Sequence, residues 1–269
     1  NNWDLWAADA AEAAAPDDRT EAPAIRHLRL RDARLLYTKE GAPQSATDLH
    51  FDEASGTVAK VIRIDGKGRY QKNPARMKIE AGSIAQLHEK NAIFPIDVAL
   101  SAGATTATMV GNLEGPLDEG GLDVTLKVKG DSLSDLYALI GVVLPKSPPY
   151  EFAGKLERHD TAWLFGDFSG RLGDSDLSGN LSVDVGPERP VMSASLRSKL
   201  LDFDDLAGLV GAPPATGAGE TASAEQIAEV AADRAQGRVL PDAPVDVPRL
   251  QAMDIYARLV ATRVNAPNH

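Results

Sequence analysis

The sequence predicts a mainly β protein: an antiparallel, elongated sheet of repeating strands with a few short helices. Apolar and polar residues alternate at every second position through most of the 269 residues, which is the period of a strand with one face toward water. Turn-forming Gly, Pro, Asn and Asp residues separate these runs. The segment SLSDLYALIGVVLP has a counterpart 70 residues later, LDFDDLAGLVGAPP, and a repeat at fixed spacing is typical of an elongated array.

The chain begins with an Ala-rich entry segment at 1–23, which indicates a loose or helical excursion, and the β region follows at 24–210. Leu28 and Leu30 lead into further apolar residues beyond 31–34, which predicts a hairpin or a bulged strand at that point. Alternation predicts further strands at 62–70, 77–81, 96–100, 122–128 and 192–196.

A hairpin is predicted over residues 168–185, FSGRLGDSDLSGNLSVDV. Apolar residues and glycines occupy every second position up to Leu172 and again every second position from Leu177 onward. Between them stands GDSD, residue types that supply positive φ or bond their own backbone in turns. The intervening residues are polar, so the hairpin has one apolar and one solvated side.

Three segments interrupt the β pattern. Short helices are predicted near 133–142 and 203–211, each beginning after Ser or Asp and ending at Gly and Pro. Residues 211–248 form an Ala- and Pro-rich insertion whose Ser223 and Gln226 have capping-box spacing, which predicts one short helix. Residues 249–269 are predicted to bring a strand back to the same β region.

Composition and charge narrow the function classes. The net charge of −11 argues against a nucleic-acid partner, because phosphate neutralisation by Lys and Arg supplies most of such binding. The absence of Cys removes disulfides, thiolate nucleophiles and Cys-type zinc sites. No run of about 18 apolar residues is present and no signal-peptide pattern opens the sequence. The chain is therefore either cytoplasmic or a piece of a longer, targeted protein, and the strand-like C-terminal residues favour the piece.

The search for catalytic motifs predicts no enzyme, no cofactor and no metal site. The five His residues are scattered, and neither a nucleophile elbow nor a phosphate-binding loop is present. Asp174 and Asp176 are interpreted as turn residues, and Asp204 and Asp205 as a helix cap. A glycan hydrolase would need two carboxylates in one cleft, and the sequence does not place any. The aromatic ring of Trp163 either packs in the core, stacks on a sugar or anchors at a membrane surface.

The central region resembles a known family. The helix end LIGVVLP, the hairpin FSGRLGDSDLSGNLSVD, the segment ERPVMSASLRSKLLDFDDLAGLVG and LPDAPVDVPRLQAMD are similar to hallmarks of the AsmA family of Gram-negative bacteria. The resemblance covers most of 24–264 and is most specific at 130–211. It implies a periplasmic protein tethered to the inner membrane by an N-terminal helix that is absent from this sequence. It also implies a curved β-sheet, an open groove or half-barrel related to eukaryotic bridge-like lipid transfer proteins, that moves phospholipid between the inner and outer membranes.

The expected partner is therefore a phospholipid or another acyl lipid, held on the aliphatic side of the sheet, while the oligomeric state stays open. The same side chains could instead form the core of a closed sandwich. The second hypothesis is an assembly or scaffold factor for outer-membrane proteins that binds through an exposed strand edge. The residues expected to line the groove are Ile62, Ile64, Leu126, Val128, Leu172, Leu177, Leu181 and Val183.

Overall fold

The structure of the protein is a computed structural model. The described residues are 27–39, 42–58, 61–70, 73–87, 92–115, 120–136, 146–206, 215–217, 219–235 and 254–265. The predictions for the entry segment 1–23 lie outside the described residues, as do those for the helical residues 137–142 and 207–211.

Twelve strands are present in the described part of the chain, because the alternating segments pair with their neighbours in sequence. They are β1 (His27–Lys39), β2 (Ala42–Val58), β3 (Ile62–Tyr70), β4 (Asn73–Ala81), β5 (Ile93–Ala102), β6 (Thr105–Glu114), β7 (Leu122–Gly130), β8 (Tyr150–His159), β9 (Ala162–Leu172), β10 (Ser175–Asp184), β11 (Val191–Asp202) and β12 (Asp254–Asn265). The described helices are α1 (Ile84–Leu87) and α2 (Ala224–Ala235), with the 3₁₀ helices η1 (Leu133–Leu136) and η2 (Asp204–Leu206).

All twelve strands form one open sheet in chain order, with β1 and β12 at its edges. Neighbours from β1 to β11 are antiparallel, which confirms the predicted class, but β12 runs parallel to β11. Val191 pairs with Asp254, so the chain returns to the starting end of β11 before it forms β12. A parallel neighbour requires a crossover of a dozen residues or more, and the long segment between the two strands supplies it.

Of the two alternatives predicted around 31–34, a hairpin or a bulged strand, the hairpin is not formed, because β1 continues through these residues as one strand. Its irregularity is Asp32, which has a φ of 48°. Asp is among the residue types that adopt this left-handed conformation at low cost. The chain turns between Lys39 and Ala42 instead, where those two residues pair.

The 70-residue repeat corresponds to a unit of four strands and a 3₁₀ turn. Strands β4–β7 precede η1, and strands β8–β11 precede η2. Equivalent turns open the third strand of each unit, with Gly103 and Gly173 both at a φ of 58°. Asp135 and Asp205 occupy the same place in the two 3₁₀ helices. The repeat in sequence is therefore a repeat in backbone conformation.

The predicted hairpin at 168–185 is present as β9 and β10. It also contains a bulge, because the register shifts between Gly179 and Leu181 while Asp167 opposite has a φ of 47°. The one extra residue in β9 brings Phe165 and Phe168 to the same side, where their rings stack at 5.0 Å. Gly154 lies against this pair, and a Cβ there would stand 2.6 Å from the Cβ of Phe168.

Candidate functional site

The pairing register brings the apolar side chains of successive strands into rows that cross the sheet. Because side chains alternate between the two faces, paired residues of the same parity lie side by side. One row crosses β3 to β8 through Ile64, Ile79, Val98, Met109, Leu126 and Gly154. The row is apolar at every position, so no polar side chain interrupts it.

A second row runs beside the first and extends further. It crosses β3 to β12 through Ile62, Ala81, Ile96, Gly111, Val124, Leu156, Phe165, Leu181, Ala194 and Ala257. We call the side of the sheet that carries these two rows the apolar face. Val128, Leu172, Leu177 and Val183 share its parity in their strands, so all eight residues predicted to line a groove lie on this face.

The opposite side of the sheet, here called the polar face, carries ion pairs between neighbouring strands. Arg63 and Glu80 are joined at 2.9 Å, and Lys155 lies 3.2 Å from Asp123. The hydrogen bond from Arg63, together with its charge, lowers the pKa of Glu80 below its usual value. Exposed pairs of this kind contribute little stability but keep this face in water. The sheet is therefore two-sided, with water on one side and aliphatic side chains on the other.

Within the described ranges, no second sheet covers the apolar face. The helical elements in closest contact with the sheet are α1 against β5 and η2 against β11, both at strand ends. Six of the predicted lining residues remain only half-buried in this single layer, namely Ile62, Ile64, Leu126, Val128, Leu181 and Val183. In a closed sandwich, inward-facing side chains would be sealed by those of the other sheet.

The size of the apolar face suits an extended apolar ligand. Strands of 9 to 12 residues cross most of it, which at about 3.3 Å per residue is roughly 30–40 Å of width. Twelve strands spaced about 4.8 Å apart extend roughly 50 Å in the other direction. Such a surface can hold hydrocarbon by desolvation alone and needs no catalytic group.

One end of the apolar face is closed by a buried cluster, centred on β8 to β11. Leu172 is 3% exposed and Leu177 is 7% exposed, and both pack with Tyr150 and Leu201. Residues of η1 and η2 pack against this cluster from the strand ends. These two predicted lining residues therefore offer almost no free surface, in contrast to the other six.

A buried carboxylate holds η2 against the β9–β10 turn. Asp205 Oδ2 accepts hydrogen bonds from the backbone N–H of Asp174 at 3.0 Å, the N–H of Ser175 at 2.8 Å and the Ser175 hydroxyl at 2.6 Å. Burial raises the pKa of Asp205 to about 6, with the Ser175 hydrogen bonds opposing the shift. The predicted helix cap is supplied by Asp202 instead, whose Oδ1 accepts from the N–H of Asp204. Asp205 therefore stabilises the turn.

The aromatic side chains divide between packing and exposure. Phe152 and Phe165 pack against Phe168 in the closed end. Trp163 lies at the opposite strand end, 36% exposed, with the Arg158 guanidinium 5.5 Å from its ring centroid. A cation over an indole ring is a weak stabilising contact. Trp163 therefore marks the rim of the apolar face and takes no part in its closed cluster.

Three acids come together beside η2. Asp202, Asp204 and Glu220 have carboxylate oxygens within 4.8 Å of one another. Burial, followed by the neighbouring carboxylates, raises the pKa of Glu220. Asp202 already accepts hydrogen bonds from the N–H of Asp204 and from the Asn265 amide. The oxygens of Asp202 therefore serve the junction between β11, η2 and β12.

Sequence reasoning missed part of the lining. Ile79, Ile96, Val98 and Met109 stand in the same rows as the predicted residues and were not among them. Their alternation is visible in the sequence, but the row that each joins depends on which residue pairs with which. That register is a non-local property, so alternation could identify the face but not the continuous rows.

Comparisons with known proteins found one informative similarity. The chain is 30% identical over 230 residues to the "AsmA family protein YhjG" of Escherichia coli (strain K12). The match includes 80% of this chain and 34% of that protein, so the chain spans about a third of the length of the curated relative it matches. No family model and no solved structure matches. None of the helices in the described ranges is both long and apolar enough to cross a membrane.

Proposed function

Because this chain belongs to the AsmA family, we propose that its apolar face binds the acyl chains of phospholipid and takes part in lipid transport between the inner and outer membranes. The observation that supports this most directly is the unbroken pair of apolar rows, in which most residues are half-buried while Ala81 and Val124 are buried, and over which no second sheet lies among the described residues. Lipid sliding along such rows would meet similar side chains at every strand.

The energetics of the proposal are favourable without a specific pocket. Each methylene removed from water contributes about 0.8 kcal/mol, so about ten methylenes laid along the rows contribute at most about 8 kcal/mol. The face remains open on one side, so only part of that gain is realised. Partial desolvation keeps binding reversible, which is what a transport surface requires.

A charge placed in the middle of the apolar face tests the proposal. Leu126 lies in the first row between Met109 and Gly154, is half-buried and is not a member of the buried cluster. Leu126→Asp should abolish most copurifying phospholipid, measured by lipid extraction and mass spectrometry of the purified protein. Thr125→Asp is the matched control, because it adds the same charge one residue away on the polar face.

The outcomes of this test are distinct. Binding on the apolar face is supported if Thr125→Asp retains lipid and a folded Leu126→Asp protein loses it. Equal lipid content in wild type and Leu126→Asp, or no lipid and no exchange of added phospholipid in wild type, contradicts it. Thermal unfolding of both variants establishes that the comparison is made on folded protein.

We also propose a periplasmic location at the inner membrane and a non-enzymatic role, as the family resemblance implies. Cell fractionation of the complete protein, with protease accessibility in spheroplasts, tests the location. Protection of the protein from protease after the outer membrane is opened would contradict it.

A second candidate function is a scaffold that pairs with a strand of an outer-membrane protein. β12 favours it, because this edge strand exposes apolar residues on both faces, including Val260 at 51% on the polar face and Leu259 at 37% on the apolar face. An edge of this kind can accept an additional strand by backbone hydrogen bonds. Photocrosslinking from Leu259, on the apolar face of this edge strand, should then capture a polypeptide, whereas capture of lipid alone favours the first proposal.

A further inference from the structure

The polar face contains a cleft that the proposed lipid groove does not use. Its volume is about 490 Å³, and it lies across β9 to β12. The polar residues that line it are Asp167, Ser169, Ser178, Asn180, Ser195, Arg197 and Arg258. Because these residues point away from the apolar face, a ligand in the cleft would not contact the apolar rows.

Two arginines in the cleft have no acidic partner within the described ranges. The strand register sets Ser195 beside Arg258 and Ser178 beside Arg197, so each guanidinium faces a hydroxyl residue across the sheet. Among the residues that the structure describes, neither arginine forms an ion pair. Diagonal neighbours on one face of a sheet are roughly 7–8 Å apart, so both arginine side chains can reach one small group between them.

A second cleft on the same face provides an internal comparison. It measures about 620 Å³ and contains Arg63 and Lys78. There the cations are neutralised, with Arg63 2.9 Å from Glu80 and Lys78 3.8 Å from Asp65. Of these two clefts, the one across β9 to β12 is therefore the one whose arginines form no ion pair with a described residue, on a chain whose net charge is −11.

The bulge in β9 fixes a further donor in the cleft. The backbone N–H of Asp167 donates to Asn180 Oδ1 at 2.9 Å. Because that bond uses the carbonyl oxygen of the Asn180 amide, its NH₂ group remains available as a donor. Asp167 has a φ of 47°, and such bulges occur preferentially where a strand re-aims side chains at a functional site.

We propose that this cleft binds a phosphate group through Arg197, Arg258 and the Asn180 amide. Guanidinium groups present paired N–H donors that match the oxygens of phosphate, and charge-assisted hydrogen bonds are about twice as strong as neutral ones. The Asp167 carboxylate also lines the cleft and opposes an anion, so it limits affinity. The proposal does not depend on lipid binding at the apolar face.

The first experiment uses inorganic phosphate as the probe, at constant ionic strength, with the Nε–H signals of the arginines followed by NMR. Saturable shifts at Arg197 and Arg258 are expected, and Arg197→Gln or Arg258→Gln should each raise Kd at least about tenfold, since each removes charge-assisted hydrogen bonds. Arg63→Gln is the matched control and should leave Kd unchanged.

A conservative change of the opposing carboxylate sharpens the test. Asp167→Asn keeps a residue that tolerates positive φ and removes the negative charge, so phosphate should bind severalfold more tightly. Shifts that do not saturate, or a Kd that is the same in wild type, Arg197→Gln and Arg258→Gln, would overturn the proposal. Leu126→Asp should keep wild-type phosphate affinity, so failure of the lipid groove and failure of this cleft are distinguishable.

The second experiment distinguishes the source of the phosphate. The protein is mixed with vesicles of phosphatidylglycerol and phosphatidylcholine, and its flotation with them is measured. If flotation depends on Arg197 and Arg258 and inorganic phosphate competes with it, the phosphate group is a lipid headgroup at a membrane surface. Saturable phosphate binding without such flotation identifies a soluble phosphate compound. Either result supports the cleft as a phosphate site, whereas flotation unaffected by both arginine variants, with no phosphate binding, overturns it.

Discussion

Removal of the Asp205 carboxylate should loosen the closed end of the sheet. This carboxylate accepts three hydrogen bonds from the β9–β10 turn and is the contact that joins η2 to it. Asp205→Ala leaves the N–H groups of Asp174 and Ser175 without an acceptor, while the Ser175 hydroxyl keeps the Asp202 carbonyl oxygen at 3.3 Å. The Ser175 hydroxyl also still accepts from the Asp202 N–H at 2.9 Å, so the turn stays tied to β11 but loses its bonds to η2.

The magnitude follows from these contacts. A buried donor left unsatisfied costs about 1–3 kcal/mol, and Ser175, which is fully buried, accounts for most of that cost. The Asp174 N–H is only partly buried, so water recovers some of its loss. The variant also relieves the desolvation of an ionised carboxylate, so we expect a net loss of about 2 kcal/mol in the free energy of unfolding.

Urea unfolding at pH 7, followed by circular dichroism, measures this loss. Asp204→Ala is the matched control, because the neighbouring carboxylate accepts no hydrogen bond from the turn and should change stability by less than about 0.5 kcal/mol. The reasoning is refuted if Asp205→Ala costs no more than Asp204→Ala. Hydrogen exchange at Ser175 provides a local readout, since its N–H should become less protected in the Asp205 variant alone.

Two further predictions concern stability. The folded state holds the Asp205 proton more tightly, because burial raises the pKa of this carboxyl from its ordinary value of 3.8 to about 6. The free energy of unfolding of wild type should therefore increase relative to that of Asp205→Asn as pH falls from about 6 to about 4. Parallel curves of stability against pH for the two proteins would contradict this. Gly179→Ala should cost about 2–4 kcal/mol, because Gly179 has a φ of 147° and a Cβ would stand 2.0 Å from the Ser195 carbonyl oxygen; urea unfolding checks this, and a neutral effect would show that the two strands separate easily.

The sequence predicted the fold class because its information is local. Alternation through 168–185 identified a hairpin, and GDSD placed the turn, which the structure has between Leu172 and Ser175. Capping chemistry is equally local: Ser223 and Gln226 exchange the hydrogen bonds of a capping box at the start of α2. Ser83 and Gln86 do the same before α1, and the same spacing could have revealed that helix.

Side-chain partners far apart in sequence were not predictable. Asp205 was interpreted as a helix cap, because residues just before an apolar run usually act on the helix that follows. In the fold its carboxylate reaches a turn about 30 residues earlier. Leu172 and Leu177 have the same alternation as Leu181, yet only their positions near η1 and η2 bury them. An alternation with a period of two residues indicates which face of the sheet a residue occupies. It does not indicate what covers that face.

The sequence by itself determined that this protein is a two-sided sheet with a repeated unit and few helices, since strand period, turn residues and caps act over a few neighbouring residues. Tertiary structure alone decided the register that aligns the apolar rows, the parallel return of β12 and the pairing of Arg63 with Glu80 while Arg197 and Arg258 face serines. These features depend on which strands become neighbours. Strand pairing joins residues whose separation along the chain leaves no local signal.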